Sequence, residues 1–477
     1  MNQEKLRQRR TLVEGKVIIG IDPAKKKHQA ALVDESGIQL GSSFSFPVSH
    51  EGFEMILWKN IAKHFSTCNP QEVIFAVETS CNLWQTLAFY LHCTRGYTVV
   101  LVSPLSTHHE RPIMNLDFSR TDPKDAFLIA SLARRGAFSL YEQFSAHSNA
   151  LHALGITYDK LRKDLARNRS RLRAHLERIF PEFLSVLGPH TDSAIYLLKQ
   201  YLFPDEFLAL DIDAETSALE RISRRQLGRA TLVRLQKLAH NSIGIIKQNE
   251  ERLADRLTLN AWIAQIETLE AQIKPVHTEL VHLAEQLPDY EIITSLSGVG
   301  DTLGSLFLAE VRDLARYKHF KQLEKLAGAN LRLSQSGQYV GSRHISHIGN
   351  RRLLWILYKM SEETARRVPE VRCKYLRRQL KRRKHRKNVV AAIPQVLQLI
   401  LALHKEKRTY ETRATTVNEM QELETRYAAL KAQTASTSVK RVRLPNADHV
   451  AARARTKASR PHAHALQVYD LVEEKTP

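Results

Sequence analysis

At 477 residues the chain exceeds one ordinary hydrophobic core, so two or three domains are expected. Its apolar share of 43% is that of a globular protein, whereas a formal charge of +21 points to a polyanionic partner, nucleic acid before any other. Four cysteines with no C-x-x-C pair argue against a disulfide framework or structural zinc and fit a reducing cytosol. No apolar signal-peptide core follows the N-terminal Met-Asn-Gln-Glu-Lys-Leu-Arg. The longest greasy stretch, 389–403, holds two glutamines and Pro394, so a core helix, no membrane partner and a cytoplasmic location are expected.

Taken in order, residues 1–15 form a basic extension and residues 16–147 an α/β domain. Val17-Ile18-Ile19-Gly20-Ile21-Asp22 is a β-branched run ending in a carboxylate. Residues 30–34, the turn Glu35-Ser36-Gly37 and the chain from Ile38 onward suggest a hairpin. Val73-Ile74-Phe75-Ala76-Val77-Glu78 is a second buried-strand run, again ending in an acid, and 98–102 is a third. Between them, 53–65 has helical spacing. Residues 148–290 are helical, with Leu151, Leu154, Tyr158, Leu161 and Leu165 at threes and fours and an insertion at about 190–250. Ile266, Leu269, Ile273, Val276, Leu280, Leu283 and Leu287 form an a/d seam of about three heptads. That seam predicts a coiled-coil hairpin or a dimer contact, with a plain bundle helix as the alternative. Residues 291–410 are compact and mainly helical around a Gly- and Ser-rich centre. A helical end and, from about 430, a flexible basic tail complete the chain to 477.

The acids of the first domain stand where a two-metal site needs them. Asp22 and Glu78 end strands, and Asp122 and Asp125 open a helix in Arg120-Thr121-Asp122-Pro123-Lys124-Asp125-Ala126, sharing one face at i and i+3. Four such oxygen donors suit two Mg²⁺ or Mn²⁺ ions. Helix capping explains the Asp122–Asp125 pair equally simply, because Asp before Pro is a good N-cap and an acid at N3 suits the helix terminus.

These residues also carry a resemblance. Gly20-Ile21-Asp22-Pro23-Ala24-Lys25-Lys26-Lys27-His28, Val77-Glu78-Thr79-Ser80 and Thr121-Asp122-Pro123-Lys124-Asp125-Ala126 resemble the motifs of the DEDD transposases of the insertion sequence 110 family. Ser295-Leu296-Ser297-Gly298-Val299-Gly300 with Ala309-Glu310-Val311 is similar to that family's helix–hairpin–helix-like segment. Residues 331–350, with Ser336-Gly337 and Ile345-Ser346-His347-Ile348-Gly349-Asn350, are similar to its second catalytic domain. The resemblance covers about 16–410. It implies an α/β RuvC-like, RNase H-type domain, a helical coiled-coil domain and a mainly helical transposase domain. It further implies that Asp22, Glu78, Asp122 and Asp125 bind two divalent ions and that Ser336 is the nucleophile. The implied partners are DNA, a structured guide RNA from the same element, and further copies of the chain in a dimer or tetramer. Three positions depart from the family: Ser103-Pro104 replaces Asn-Pro, Ser346-His347 replaces Ser-Lys, and a proline is missing around Leu331-Arg332-Leu333. Ser334 is the second candidate nucleophile.

Two features suit nucleic acid directly. Gly298 and Gly300 would let backbone amides approach phosphates, although an interhelical turn uses glycines in the same way. Residues 371–387 hold ten Lys or Arg and no acid, with Arg377, Arg378, Lys381, Arg382 and Arg383 as candidate phosphate contacts. The expected activity is transposition by strand cleavage and exchange. A RuvC-like junction resolvase would need only the four acids, and a packaging protein would need none of these groups.

Overall fold

The computed structural model describes residues 3–65, 69–115, 122–332, 335–336, 339–341 and 344–438, with the backbone alone at 5, 114–115, 122, 335–336, 339–340 and 434–438. The chain forms two compact units, Met1–Ser145 and Ala146–Pro477.

In the first unit, the segment expected as an extension folds into α1 (Gln3–Val13). Then come β1 (Val17–Asp22), β2 (Lys27–Val33), β3 (Phe44–Pro47), α2 (Leu57–Ile61), β4 (Val73–Glu78), α3 (Gln85–Phe89), β5 (Thr98–Val102), α4 (Pro104–Asn115), α5 (Asp122–Arg134) and β6 (Ser139–Leu140). One six-stranded sheet has the order β3-β2-β1-β4-β5-β6, parallel at β1–β4–β5 and antiparallel elsewhere. Both faces are covered. Ile19, Ile21, Phe75 and Val77 enter one core with Phe46, Leu57 and Ile61. Their neighbours Ile18, Ile74 and Ala76 enter another with Leu128, Ile129 and Ala133 of α5. Double burial is why these strands are continuous apolar runs rather than alternating ones. Arg134 joins the layers, donating to the carbonyls of Val13 (2.9 Å) and Lys16 (2.6 Å).

The second unit begins with α6 (Ala146–Ile179). Four helices follow where the insertion was expected: α7 (Asp192–Gln200), α8 (Pro204–Leu208), α9 (Ile212–Ile222) and α10 (Arg229–His240). Then α11 (Asn249–Glu285) returns along α6. Its direction is antiparallel: the His147 ring meets the Leu283 carbonyl at 2.8 Å, Arg169 meets Glu270 at 2.5 Å and the His175 ring meets the Asp255 carbonyl at 3.0 Å. The heptad seam is thus spent inside one chain, with Ile266, Ile273 and Leu280 buried. The four inserted helices pack Phe180, Phe183, Leu197, Phe207 and Leu235 into a separate core at one end of this hairpin.

At the other end lie α12 (Asp289–Thr294), α13 (Asp301–Val311), α14 (Phe320–Ala327), the short strands β7 (Leu331–Arg332), β8 (Gln335–Ser336), β9 (Tyr339–Val340) and β10 (His344–Ile345), then α15 (Arg351–Arg367), α16 (Pro369–Leu380), α17 (His385–Glu406) and α18 (Ala414–Ser438). Among the described residues α17 alone is long and apolar enough to cross a membrane; half of its apolar window is buried, with Ile393, Val396, Leu397 and Ile400 in the core shared with α12–α15. The last helix runs to Ser438, past the point near 430 where periodicity fades, because Leu423 packs on Cys373 and Leu376 of α16. The tail from 439, like Cys68, lies outside the described residues.

Candidate active site

The parallel register sets Ile21 beside Val77, so Asp22 and Glu78 leave the sheet side by side at its C-terminal edge. Glu78 is held on both oxygens. The Ser80 hydroxyl donates to Oε2 at 2.5 Å, and the buried Thr107 hydroxyl of α4 donates to Oε1. Asp125 arrives from α5, and Gly20 is what lets it arrive. A Cβ at position 20 would lie 2.2 Å from the Ala126 carbonyl oxygen and 2.6 Å from the Ala130 nitrogen, so only glycine permits α5 to lie this close to β1. His28 fixes the loop after Asp22 by accepting from the Ala24 N–H at 3.2 Å. Burial pushes its imidazole down to about 4, so it stays neutral at physiological pH.

A cation occupies the middle of this edge. The Arg111 guanidinium of α4 makes a two-pronged ion pair with Asp125, Nε to Oδ1 at 2.8 Å and Nη2 to Oδ2 at 2.9 Å. Those hydrogen bonds, opposed by burial and aided by the charges of Asp125, Glu78 and Asp22, raise its affinity for its proton above that of an ordinary arginine. Three carboxylates from three elements thus concentrate their field on one point. Among the described residues no three Asp, Glu, His or Cys side chains stand together as a ready metal cage; Asp125 pairs with a guanidinium instead, which also feels the charges of Glu78 and Asp22. Their all-oxygen donor set, gathered about a stand-in cation, fits a hard divalent ion. Asp122 is the first residue of α5, and its side chain lies outside the described residues.

Ser336 belongs to a nested pair of ladders. Leu331–Arg332 pairs antiparallel with His344–Ile345, and inside it Gln335 pairs with Val340 and Ser336 with Tyr339. The backbone therefore places Ser336 at the inner end of a β-finger; its side chain, with Ser334 and Gly337, lies outside the described residues. The base of the finger is clamped. Ser346 N–H donates to Asn330 O at 2.8 Å, His347 N–H to Gly328 O at 3.0 Å and Asn350 N–H to Leu326 O at 2.7 Å. Gly328 ends α14 in the left-handed conformation and Gly349 crosses it so closely that a Cβ there would lie 2.5 Å from the Gly328 nitrogen. Beneath them Glu310, almost wholly buried, accepts from Arg352 Nε at 2.6 Å and from the Asn350 amide. The Ala309-Glu310-Val311 and Gly349-Asn350 motifs therefore meet in one cluster that sets the finger on its scaffold.

Comparison with known proteins finds a family match in each region. A DEDD transposase family model of IS110 matches residues 19–181, and the model of the transposase IS116/IS110/IS902 family matches residues 290–376. The chain belongs to the IS110 family of transposases. A 44.8 kDa protein of insertion element IS116 from Streptomyces clavuligerus is 27% identical, over 83% of this chain and 96% of its own length. A 43.6 kDa protein of insertion element IS110 from Streptomyces coelicolor is 24% identical, over 62% and 73% respectively. A mini-circle protein of IS117 from Streptomyces coelicolor is 25% identical over 71% and 83%.

The expected nucleic-acid residues of this transposase divide. Arg377 is ion-paired with Glu419 of α18, and Arg378 Nε donates at 3.1 Å to Asn388, which is fully buried. Both hold helices together. Lys381, Arg382 and Arg383 are exposed in the α16–α17 turn, with no ion pair among the described residues. Gly298, at φ +98°, has the Glu363 backbone about 3.1 Å from where its Cβ would be, which makes it a packing glycine, whereas Gly300 opens on free space as the N-cap of α13. Arg111, Thr107 and the structural roles of His28 and Glu310 were missed in the sequence. An arginine fourteen residues before Asp125 carries no local signal; only the three-dimensional site exposes it.

Proposed function

We propose that this transposase cuts and rejoins DNA with Asp22, Glu78, Asp122 and Asp125 holding two divalent ions, Mg²⁺ or Mn²⁺, in a RuvC-like, RNase H-type domain, and with Ser336 as nucleophile. The observation that supports the metal half is that Asp22 and Glu78 end neighbouring parallel strands while Asp125 pairs with Arg111, whose guanidinium also feels the charges of both strand-end acids. Divalent ions bound there would supply Lewis-acid charge to the phosphodiester oxygens. Ser80 and Thr107 orient Glu78, Gly20 admits Asp125, and neutral His28 steadies the loop that carries Asp22. The Ser336 hydroxyl gives up its proton as its oxygen bonds phosphorus, and one ester oxygen of the strand leaves as a hydroxyl. A hydroxyl of the incoming strand then reverses the exchange. One phosphoester replaces another at each step, so no nucleoside triphosphate is consumed.

Strand exchange brings two duplexes together, which suits a dimer or tetramer. The charge of +21 and the exposed Lys381, Arg382 and Arg383 suit DNA and a structured guide RNA, with sequence choice delegated to base pairing. Because Asp22, Glu78, Asp122 and Asp125 all lie in the first unit, cleavage by a junction resolvase using the acids alone is the second reading. Strand cleavage of a plasmid bearing the element and its flanks tests the metal half. Glu78→Gln and Asp125→Asn should abolish cleavage while the proteins still fold and retain DNA. Wild-type cleavage that persists in excess EDTA would overturn it.

A further inference from the structure

The second unit holds a groove of about 460 Å³ between α6, α13 and α15. This lies within the roughly 300–1,000 Å³ typical of ligand sites. Its floor is apolar, from Leu303, Leu306 and Tyr158, and its rim carries Trp355, Arg351 and Arg162.

Trp355 is the unusual member. The core face of α15 is fully supplied by Leu353, Ile356, Leu357 and Met360, each at most 2% exposed, whereas Trp355 falls off that stripe and is 50% exposed. Among the described residues its indole N–H has no hydrogen-bond partner, and no ring or cation stacks on it. The cations around it are of two kinds. Arg352 is committed to buried Glu310, and Lys163 to Asp159 at 2.6 Å. Arg162 and Arg351 are exposed and, among the described residues, make neither ion pair nor hydrogen bond. The groove is also built rather than incidental. Gly155 brings α6 so close to α13 that a Cβ there would lie 2.9 Å from the Ala309 Cβ, which sets the floor.

An open indole over an apolar floor, flanked by uncommitted guanidiniums, matches the two halves of a nucleotide. Stacked duplex bases cannot reach such an indole; an unpaired base can. We propose that this groove binds an unpaired nucleotide of a single strand, its base stacked on Trp355 and its neighbouring phosphates held by Arg162 and Arg351. The inference rests on nucleic acid as partner and is independent of the metal and serine chemistry.

Equilibrium binding of the full chain tests it, with dye-labelled oligo-U, oligo-dT and duplex DNA of about 12 nucleotides, inside the span of single-strand sites. Trp355→Ala should weaken single-strand binding about tenfold, with duplex binding held to about twofold, and Trp355→Phe should restore most of the loss. Arg162→Gln with Arg351→Gln should lower the single-strand salt slope by about 1.4, at ~0.7 per phosphate contact. A larger loss on oligo-U than on oligo-dT assigns the strand to RNA, the converse to DNA, and either supports the site. Single-strand affinity unchanged in Trp355→Ala, or an equal loss on duplex, would overturn the proposal. So would a change of sedimentation coefficient in Trp355→Ala without loss of binding, which would mark the groove as a contact between copies of the chain. All these readouts are available whether or not Ser336 forms a covalent adduct.

Discussion

The carboxylate edge of the first unit and the serine finger of the second are held in place by opposite means. The acids sit on the ends of β1 and β4 and the start of α5, elements longer than their functional part, whose positions follow from two buried sheet faces. Polar side chains (Ser80, Thr107, Arg111) then aim them. The serine stands on two-residue strands that own no core. Backbone hydrogen bonds, two crossing glycines and the buried Glu310 cluster set the base of the finger. The difference teaches where each site is vulnerable: the first through packing of a helix on a sheet, the second through a few polar contacts beneath it.

Gly20→Val strikes the packing most directly. The nearest obstacle to a side chain is the α5 backbone, which cannot rotate away as a side chain could, so a loss of about 3 kcal/mol or more is expected. Chemical denaturation should show it in the first unit, with the helices of the second unit retaining their hydrogen-exchange protection. Equal loss of protection in both units would break the contrast.

His28 supplies a pH test of the same edge. Its pKa falls from 6.5 to about 4 on folding, through burial. Between those values the unfolded chain binds a proton that the folded one refuses. The stabilising term is therefore complete above pH 6.5 and is lost as pH falls toward 4, by about 3 kcal/mol at most. Melting of wild type against His28→Gln from pH 7.5 to 5 should show a steeper decline in the wild type. Parallel declines would contradict a buried neutral imidazole.

Glu310→Leu tests the finger. Removing a buried carboxylate strands Arg352, which is about one-third exposed, so solvent screens part of the penalty and about 2 kcal/mol is expected. The sharper readout is faster hydrogen exchange at Ser346, His347 and Asn350, with α6 and α11 unchanged. Exchange that stays slow would mean the glycine crossing alone holds the finger.

Much of the first site was legible in sequence because strand-end acids follow apolar runs, and such runs reveal doubly buried strands. Asp22 and Glu78 could be placed at strand ends from those runs, and Asp125 on a helix start; that the two strands are parallel neighbours came from the sheet register. Arg111 and Thr107 were not legible: each reaches the acids across the fold, from a helix whose sequence shows no pattern aimed at them. The partners of the basic stretch were not legible for a related reason. Composition counts Arg377 and Arg378 with their neighbours, but only tertiary contacts reveal that they serve Glu419 and Asn388. The heptad seam was legible as a seam, while its partner, α6 of the same chain, emerged only from the fold. Trp355 left no trace in the reading, since a tryptophan in an amphipathic helix is ordinarily core.

The proposed chemistry requires this transposase to hold DNA through a phosphoserine at position 336. Wild-type protein, supplied with Mg²⁺, a nicked suicide substrate from its own element ends and the RNA transcribed from the flanking DNA, can be denatured, digested and its nucleotide-bearing peptide sequenced by mass spectrometry. A nucleotide is expected on Ser336, absent in Ser336→Ala and in Glu78→Gln but present in Ser334→Ala. An adduct on Ser334, or cleavage by Ser336→Ala with no adduct at all, would contradict that chemistry, the latter in favour of hydrolysis by the acids alone.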